Sequence, residues 1–432
     1  MNINIIGAGL AGVETAWFLA NNGVEVNLFE QKPHNKSDAH SLDSFAELVC
    51  SNSFRSDDPM NNAVGLLKEE MRMLGSLTMQ AAQATQVPAG GALGVDREAF
   101  SSFITDKINN HKNINVILEE VVSLNEEDIN IICTGPLTSD KLSEVIQNVL
   151  GKDYFYFFDA AAPIITKESI NMDIAYLKSR YDKGEAAYIN CPMTKEEFNK
   201  FYQKLISAEC VDLKDFENNV FEGCMPIEVM AKRGDKTLTF GPLKPVGLEK
   251  DEEHKPYAVV QLRQDNAVAS LYNLVGFQTH LKFKEQEDLL KLIPGLEDVE
   301  IVRYGVMHKN NYINSPTLLN NKLEYINNSN IMFAGQITGV EGYAESAACG
   351  IVAGYNVLCK LKNKEPNTFP RETAIGSLIY YINNASPTNF QPMNVTYGII
   401  KPLETRVKKK EKKPLMSQRA LDLLKVFIKE NL

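Results

Sequence analysis

The 432-residue chain contains no run of about 18 uninterrupted apolar residues, which excludes a transmembrane helix. The stretch from Met1 to Leu10 has no basic region and no small-residue cleavage site, so no secretory leader is expected. The seven cysteines are odd in number, widely spaced and form no C-x-x-C pair. That excludes a disulfide framework and a cysteine-based zinc site, so no metal is expected. A cytoplasmic protein with free thiols is expected instead. Arginine is scarce, 10 residues against 35 lysines. With the many Asn and Ile this reads as the codon bias of an AT-rich genome, without functional meaning. No internal repeat is visible. The net charge is −10, which on its own argues against nucleic acid as a partner. One segment breaks that average. Between Lys401 and Lys413 seven Lys and Arg face two Glu, a surplus of five, so the rest of the chain carries −15.

What is present is an ordinary soluble composition, 44% hydrophobic and 23% charged, in a chain long enough for about two to four domains. The strongest local pattern comes first. Ile3 to Ile6 reads as a short strand, and Gly7-Ala8-Gly9-Leu10-Ala11-Gly12 matches G-x-G-x-x-G. Val13 to Asn22 has helical spacing and Gly23 ends it. Val24 to Phe29 reads as a second strand, followed by Glu30. Strand, glycine turn, helix, strand and acid form the dinucleotide fingerprint. In it Gly7 permits the tight turn, Gly9 admits a pyrophosphate and Gly12 lets the helix pack on the sheet. The helix N-terminus faces the anion, and Glu30 is placed for the ribose hydroxyls.

A second signal favours FAD over NAD. Asn330 to Gly335 reads as a strand ending in glycine, Gln336 to Tyr343 (with Gly339) as a Gly-rich connection, and Glu345 to Cys359 as a small-residue helix. A fingerprint at one end and a strand–Ala-Gly–helix element near the other is the layout of a two-part FAD domain. Ile131 to Pro136 adds a strand ending in a Thr134-Gly135 turn. The expected fold class is α/β: a Rossmann-type, glutathione-reductase-like FAD domain with an inserted α+β domain. The expected divisions are 1–190 and 326–400 for the FAD domain, 191–325 for the insertion and 401–432 for a basic terminal segment. The insertion is expected to hold strands at Tyr257–Arg263 and Ser270–Gly276, and helices at Thr194–Ala208 and Glu285–Leu292.

Three segments look unlike scaffold: Phe45 to Ser53, carrying Cys50; Phe221 to Pro226, carrying Cys224; and Gly276 to His280. Each alone has a bland reading. A single cysteine is most often a small buried apolar residue, and a lone histidine is more often hydrogen-bonded structure than catalyst. Cys133, Cys349 and Cys359 read as structural, and nothing lifts Cys191 or Cys210.

Taken with the glycine fingerprint, these segments resemble the folate- and FAD-dependent RNA (uracil-5-)-methyltransferase family, TrmFO or Gid. The same resemblance extends through Asn62 to Met71, Val87 to Leu93, Lys178 to Gly184, Phe221 to Glu228, Gln261 to Asn266, Gly276 to Leu281 and Gly335 to Tyr343. It covers nearly the whole chain. It implies methylation of uridine C5 in RNA, with 5,10-methylenetetrahydrofolate as carbon source, FAD as cofactor and NADH or NADPH as reductant. The implied target is the T-loop uridine 54 of tRNA, with a 23S rRNA uridine, as in some mollicute paralogues, the alternative. Two other readings remain: an FAD oxidoreductase of a small metabolite, and a flavin-bound RNA-binding protein without turnover.

The resemblance also assigns residues. The family's cysteine pair matches Cys224 and Cys50. Cys224 is expected as the nucleophile at uracil C6 and Cys50 as base or organiser of the flavin site, with exchanged roles the alternative. His280 matches the histidine that stacks the pterin. Gly7, Ala8, Gly9, Leu10, Ala11, Gly12, Glu30, Thr134, Gly135, Gly335, Gln336 and Gly339 are expected around the cofactor. RNA phosphates are expected at 401–413 and the helix beyond it. A membrane is not expected as a partner, and the protein is expected to be a monomer or weak dimer.

Overall fold

The computed structural model describes residues 1–37, 39–151, 154–211, 225–250 and 255–432, without the side chains of 154–160, 307–309 and 389. Two six-stranded sheets organise it. The first runs, edge to edge, Glu324–Tyr325, Asn328–Phe333, Ile129–Ile132, Ile3–Ile6, Val26–Phe29 and Ile114–Ile117. Its neighbours are parallel except for the antiparallel pair at the Glu324–Tyr325 edge. Strands buried on both faces need apolar residues throughout, and Ile129, Ile131 and Ile132 supply them at full burial.

Helix Leu10–Asn21 follows the first strand and packs lengthwise on helix Tyr343–Leu361. The two backbones nearly touch. A Cβ at Gly350 would lie 2.2 Å from the Ala11 carbonyl oxygen, and Thr15 Oγ1 donates to the Gly350 carbonyl at 2.9 Å. The small residues read from the sequence thus serve helix-on-helix contact. This is the expected Rossmann-type, glutathione-reductase-like architecture, assembled from both ends of the chain.

The second sheet is antiparallel throughout: Tyr176–Leu177, Tyr188–Met193, Ala258–Gln264, Leu271–Leu274, Ile164–Thr166 and Ile301–Arg303. Helix Lys195–Ser207 lies on it through Phe198, Phe201 and Leu205, started by a reciprocal cap between Thr194 and Glu197. This sheet has its own core, distinct from that of the first. A two-stranded ribbon, Tyr154–Ala160 against Met307–Ile313, carries the chain out and back. Position 191 falls inside strand Tyr188–Met193, and Ile164–Thr166 is already a member of the second sheet. We propose drawing the inserted unit's edges at the ribbon, because packing groups everything between its two strands.

Candidate active site

The glycine turn is shaped by close contacts. Gly7 has a φ of +99°, a region L side chains rarely adopt, and a Cβ there would meet Thr134 and Cys133 backbone atoms near 3 Å. A Cβ on Gly12 would sit 1.8 Å from the Gly7 carbonyl oxygen. Helix Leu10–Asn21 starts at Gly9 without a side-chain cap, leaving its first N–H groups facing the turn. Glu30 is buried beside it: Oε2 accepts from Ala8 N at 2.9 Å and Oε1 from Lys32 N at 3.0 Å. A carboxylate has about four acceptor positions, so Glu30 fixes the turn and keeps capacity for ligand hydroxyls.

Gly7, Ala8, Gly9, Glu30 and Thr134 line one cleft of about 640 Å³ that opens to solvent. Gly135, with φ +65°, turns the chain beside it, and Thr134 Oγ1 pairs with Thr138 Oγ1 at 2.7 Å. Leu10 and Ala11 begin the helix. From the far end of the chain, Gly335 packs so tightly on Ala11 that a Cβ would come 2.6 Å from the Ala11 methyl. Gln336 Nε2 donates to Glu341 Oε2 at 2.8 Å, and Gly339 closes that short turn in left-handed conformation. The structure therefore brings Gly7, Ala8, Gly9, Glu30 and Thr134 to one cleft and packs Gly335 on the helix that follows the turn.

The Cys50 loop is rooted in this cradle. Ala46 N donates to the Ala8 carbonyl at 2.9 Å. Glu47 holds the preceding loop, accepting from Ser41 N and Oγ, both at 2.8 Å, and faces Lys32 Nζ at 3.7 Å. At the tip, the Tyr343 hydroxyl accepts from Cys50 N at 2.8 Å and Ser51 N at 3.0 Å. Burial, with the neighbouring Cys50 second, holds the Tyr343 phenol well above its ordinary value. Cys50 itself is half-buried.

The inserted domain grips the same loop. Arg263 Nε donates to Asn52 Oδ1 at 2.9 Å and its Nη2 to Ser51 Oγ at 2.6 Å. Asn52 Nδ2 returns the tie to the Gln264 carbonyl at 2.8 Å. Arg97 bridges the other way, from the Leu48 carbonyl at 2.6 Å to Asp265 at 3.0 Å. Burial lowers the pKa of Arg263, with its neighbours contributing less. Beside these contacts lies an open cleft of about 1520 Å³ between the halves, walled by Leu48, Arg97, Asp265, Arg303 and the stacked pair Phe283–Tyr304.

His280 belongs to a second cluster, inside the inserted domain. It follows the strand Leu271–Leu274 and a turn at Gly276, where φ is +69°. The ring is 6% exposed, and its Nδ1 meets Glu228 Oε1. Donor atoms of Cys210, Glu228 and His280 all lie within 4.8 Å of one another. Burial alone would lower the imidazole pKa. The Cys210 side chain and the Glu228 carboxylate, which favour the protonated ring as acceptors, outweigh it and push the value up to about 9. Cys224 lies outside the described residues. Among the described residues, Val211 N donates to the His280 carbonyl at 2.9 Å, and Ile227 N to that of Gln278 at 2.8 Å.

Sequence reading overlooked Arg97, Arg263, Tyr343, Cys210 and Glu228 as site residues. Arg263, Tyr343 and Glu228 sat inside segments already singled out, but their partners are far away in sequence. Cys210 and Arg97 carried no signal. Cys133 and Cys349 are buried, as the structural reading expects. Lys408, Lys409, Lys410, Lys412 and Lys413 are exposed, at the start of helix Lys409–Asn431. Among the described residues no helix is long and apolar enough to cross a membrane.

A family profile described as Glucose inhibited division protein A matches residues 2–365. Methylenetetrahydrofolate--tRNA-(uracil-5-)-methyltransferase TrmFO of Staphylococcus aureus strain JH9 is 58% identical over 431 residues, 99% of each chain. The protein of the same name from strain Newman is 58% identical over the same length. Among solved structures, GidA of Aquifex aeolicus in its form II crystal superimposes with a TM-score of 0.70 at 17% identity, over 99% of this chain and 75% of that one. The form I crystal gives 0.68 at 16%, over 98% and 76%.

Proposed function

The chain belongs to the glucose-inhibited division protein A family, in its TrmFO branch, and we propose that it methylates uridine C5 in tRNA, using methylenetetrahydrofolate as carbon donor and FAD as cofactor. The observation that carries this reading is the Cys50 loop. It hangs from the dinucleotide turn through Ala46 and is clamped by Arg263 of the inserted domain, so a thiol is fixed where the two halves meet.

Uracil C5 is a poor nucleophile. A thiolate that adds to C6 makes C5 an enolate carbon able to attack a one-carbon electrophile, and it can leave again afterwards. A base must remove the C5 proton. We assign the addition to Cys224 and the proton removal to Cys50, whose loop is rigid enough for the task. We assign the pterin-stacking role to His280, as the family resemblance implies. Gly7, Gly9 and the helix N-terminus would hold the pyrophosphate of FAD, and Glu30 its ribose. Reduced FAD, when bound, supplies the hydride that completes the methyl group, and NADH or NADPH is the assigned source of its electrons. Exposed lysines from Lys408 onward supply phosphate contacts that position RNA without reading sequence. The target uridine must be extruded for attack on its ring face.

The test is a methylation assay on purified protein with methylenetetrahydrofolate and NADH or NADPH, offering unmodified tRNA and 23S rRNA separately. Methyl at the T-loop uridine supports the reading. Methyl in rRNA alone keeps the chemistry and moves the target to the ribosome. Methyl in neither, from a yellow protein, overturns it.

A further inference from the structure

A fully buried carboxylate in the inserted domain has no part in the chemistry above. Glu228, in helix Ile227–Lys232, is 0% exposed. Its Oε1 meets His280 Nδ1 and also accepts from the His280 backbone N–H at 2.8 Å. Its Oε2 accepts from Thr279 Oγ1 at 2.8 Å. One side chain thus binds the ring, the backbone and the preceding hydroxyl of a single turn. Cys210 closes the cluster from the segment that pairs with Leu281.

Burying a carboxylate is costly, and an apolar side chain of similar volume often serves stability as well or better. What a carboxylate adds is a counter-charge fixed against the Nδ1 side of the ring, on the same side chain that ties down the backbone of the turn. We infer that Glu228 is a positioning residue for methyl transfer, holding the His280 turn and its ring in one arrangement. This rests on the proposed stacking role of His280. The other charged groups near the turn, Glu209 and Lys282, pair with each other at 2.6 Å on the surface and leave Glu228 as the buried charge on the ring. The raised imidazole pKa agrees with that arrangement.

Three donors this close could instead hold a divalent cation, thiolate and imidazole being ligands that suit zinc. Both Glu228 oxygens already accept from N–H and O–H donors, which favours positioning over coordination.

The test is Glu228→Gln in the full-length, FAD-loaded protein. Expected are unchanged FAD content and RNA affinity, a raised KM for methylenetetrahydrofolate and turnover reduced about 10- to 100-fold, in line with losses of groups that orient a functional histidine. The NMR titration midpoint of the His280 ring should fall, and Glu228→Asp should recover part of both effects. Unchanged KM, turnover and midpoint in Glu228→Gln, with His280→Ala inactive, would overturn this inference and leave the methyltransferase reading standing. Full activity in His280→Ala would instead remove the stacking role beneath it. Stoichiometric zinc in the wild type, lost in Cys210→Ser, would also overturn the inference, since the carboxylate would then be a ligand. If Glu228→Gln loses its FAD or its cooperative unfolding, Glu228→Asp carries the test. Wild-type folate kinetics and ring titration there would overturn the proposal, and intermediate values would support it.

Discussion

The dinucleotide cradle and the histidine cluster reach rigidity by opposite routes. Around Gly7 and Gly12 the backbone is locked because side chains are missing and carbonyls fill their space. Around His280 it is locked because a buried carboxylate accepts two hydrogen bonds and lies against the ring nitrogen. The first design tolerates no added atom, and the second tolerates no lost one. Between them, the Cys50 loop borrows from both: it hangs from the cradle by a backbone hydrogen bond and is gripped by arginines from afar.

The cradle should therefore break hardest under addition. Gly12→Val places a branched side chain where even a Cβ falls 1.8 Å from the Gly7 carbonyl oxygen. That atom is backbone and cannot swing aside, so the helix must move off the sheet, beyond the about 1–3 kcal/mol typical of overpacking. The expected outcome is colourless protein with no bound FAD and a broad melting transition. Yellow protein with a sharp transition would show that the turn has slack its tight packing denies.

The clamp should break under subtraction. Arg263→Ala strands the buried Asn52 Oδ1 and removes one of the two donors to Ser51 Oγ, a loss of about 1–3 kcal/mol from unmade hydrogen bonds. FAD should stay bound, because the cradle does not use Arg263, while methyl transfer falls with the displaced Cys50 loop. Measuring flavin content and turnover on the same sample separates the two. Parallel loss of both would mean that clamp and cradle act as one unit.

This contrast also explains what could be read in advance. Glycine turns, the strand into Glu30 and the small-residue helix are local patterns, so four of the first sheet's strands were legible, while its edge strands Ile114–Ile117 and Glu324–Tyr325 were not. Helices Lys195–Ser207 and Phe283–Leu290 and strands Ala258–Gln264 and Leu271–Leu274 were legible for the same reason, each having its own apolar period. The clamps were not. Arg263 reaches Asn52 across 211 positions, Tyr343 reaches Cys50 across 293, and Glu228 reaches His280 across 52. No period links such partners, and only the packing of two sheets brings them together. Family resemblance singled out the segments that hold Arg263, Tyr343 and Glu228, but it did not say what those residues touch.

The histidine cluster should show itself through pH. The folded-state pKa of about 9 lies above the about 6.5 of a free imidazole. The ionised ring therefore contributes stability that is fully present below about pH 6.5 and is lost as pH rises through about 9. The melting temperature of the wild type should fall over that window more steeply than that of His280→Gln. Equal slopes would mean that the ring is not charged in the folded protein.

The gentlest break concerns neither route, because the basic helix start touches neither cradle nor cluster. Lys408, Lys409 and Lys410 are exposed and lie outside both cores, so replacing all three by Gln should leave the melting temperature and FAD content unchanged. RNA affinity should drop about tenfold near physiological salt, and the slope of log affinity against log salt should shrink by about one for each phosphate no longer neutralised. Methyl transfer at saturating RNA should persist, since these lysines position the substrate and do not meet the reacting ring. A fall in turnover at saturation would mean that this helix end also sets the pose of the uridine. It would then join the Cys50 loop and the His280 turn as a part of the site built by distant chain segments.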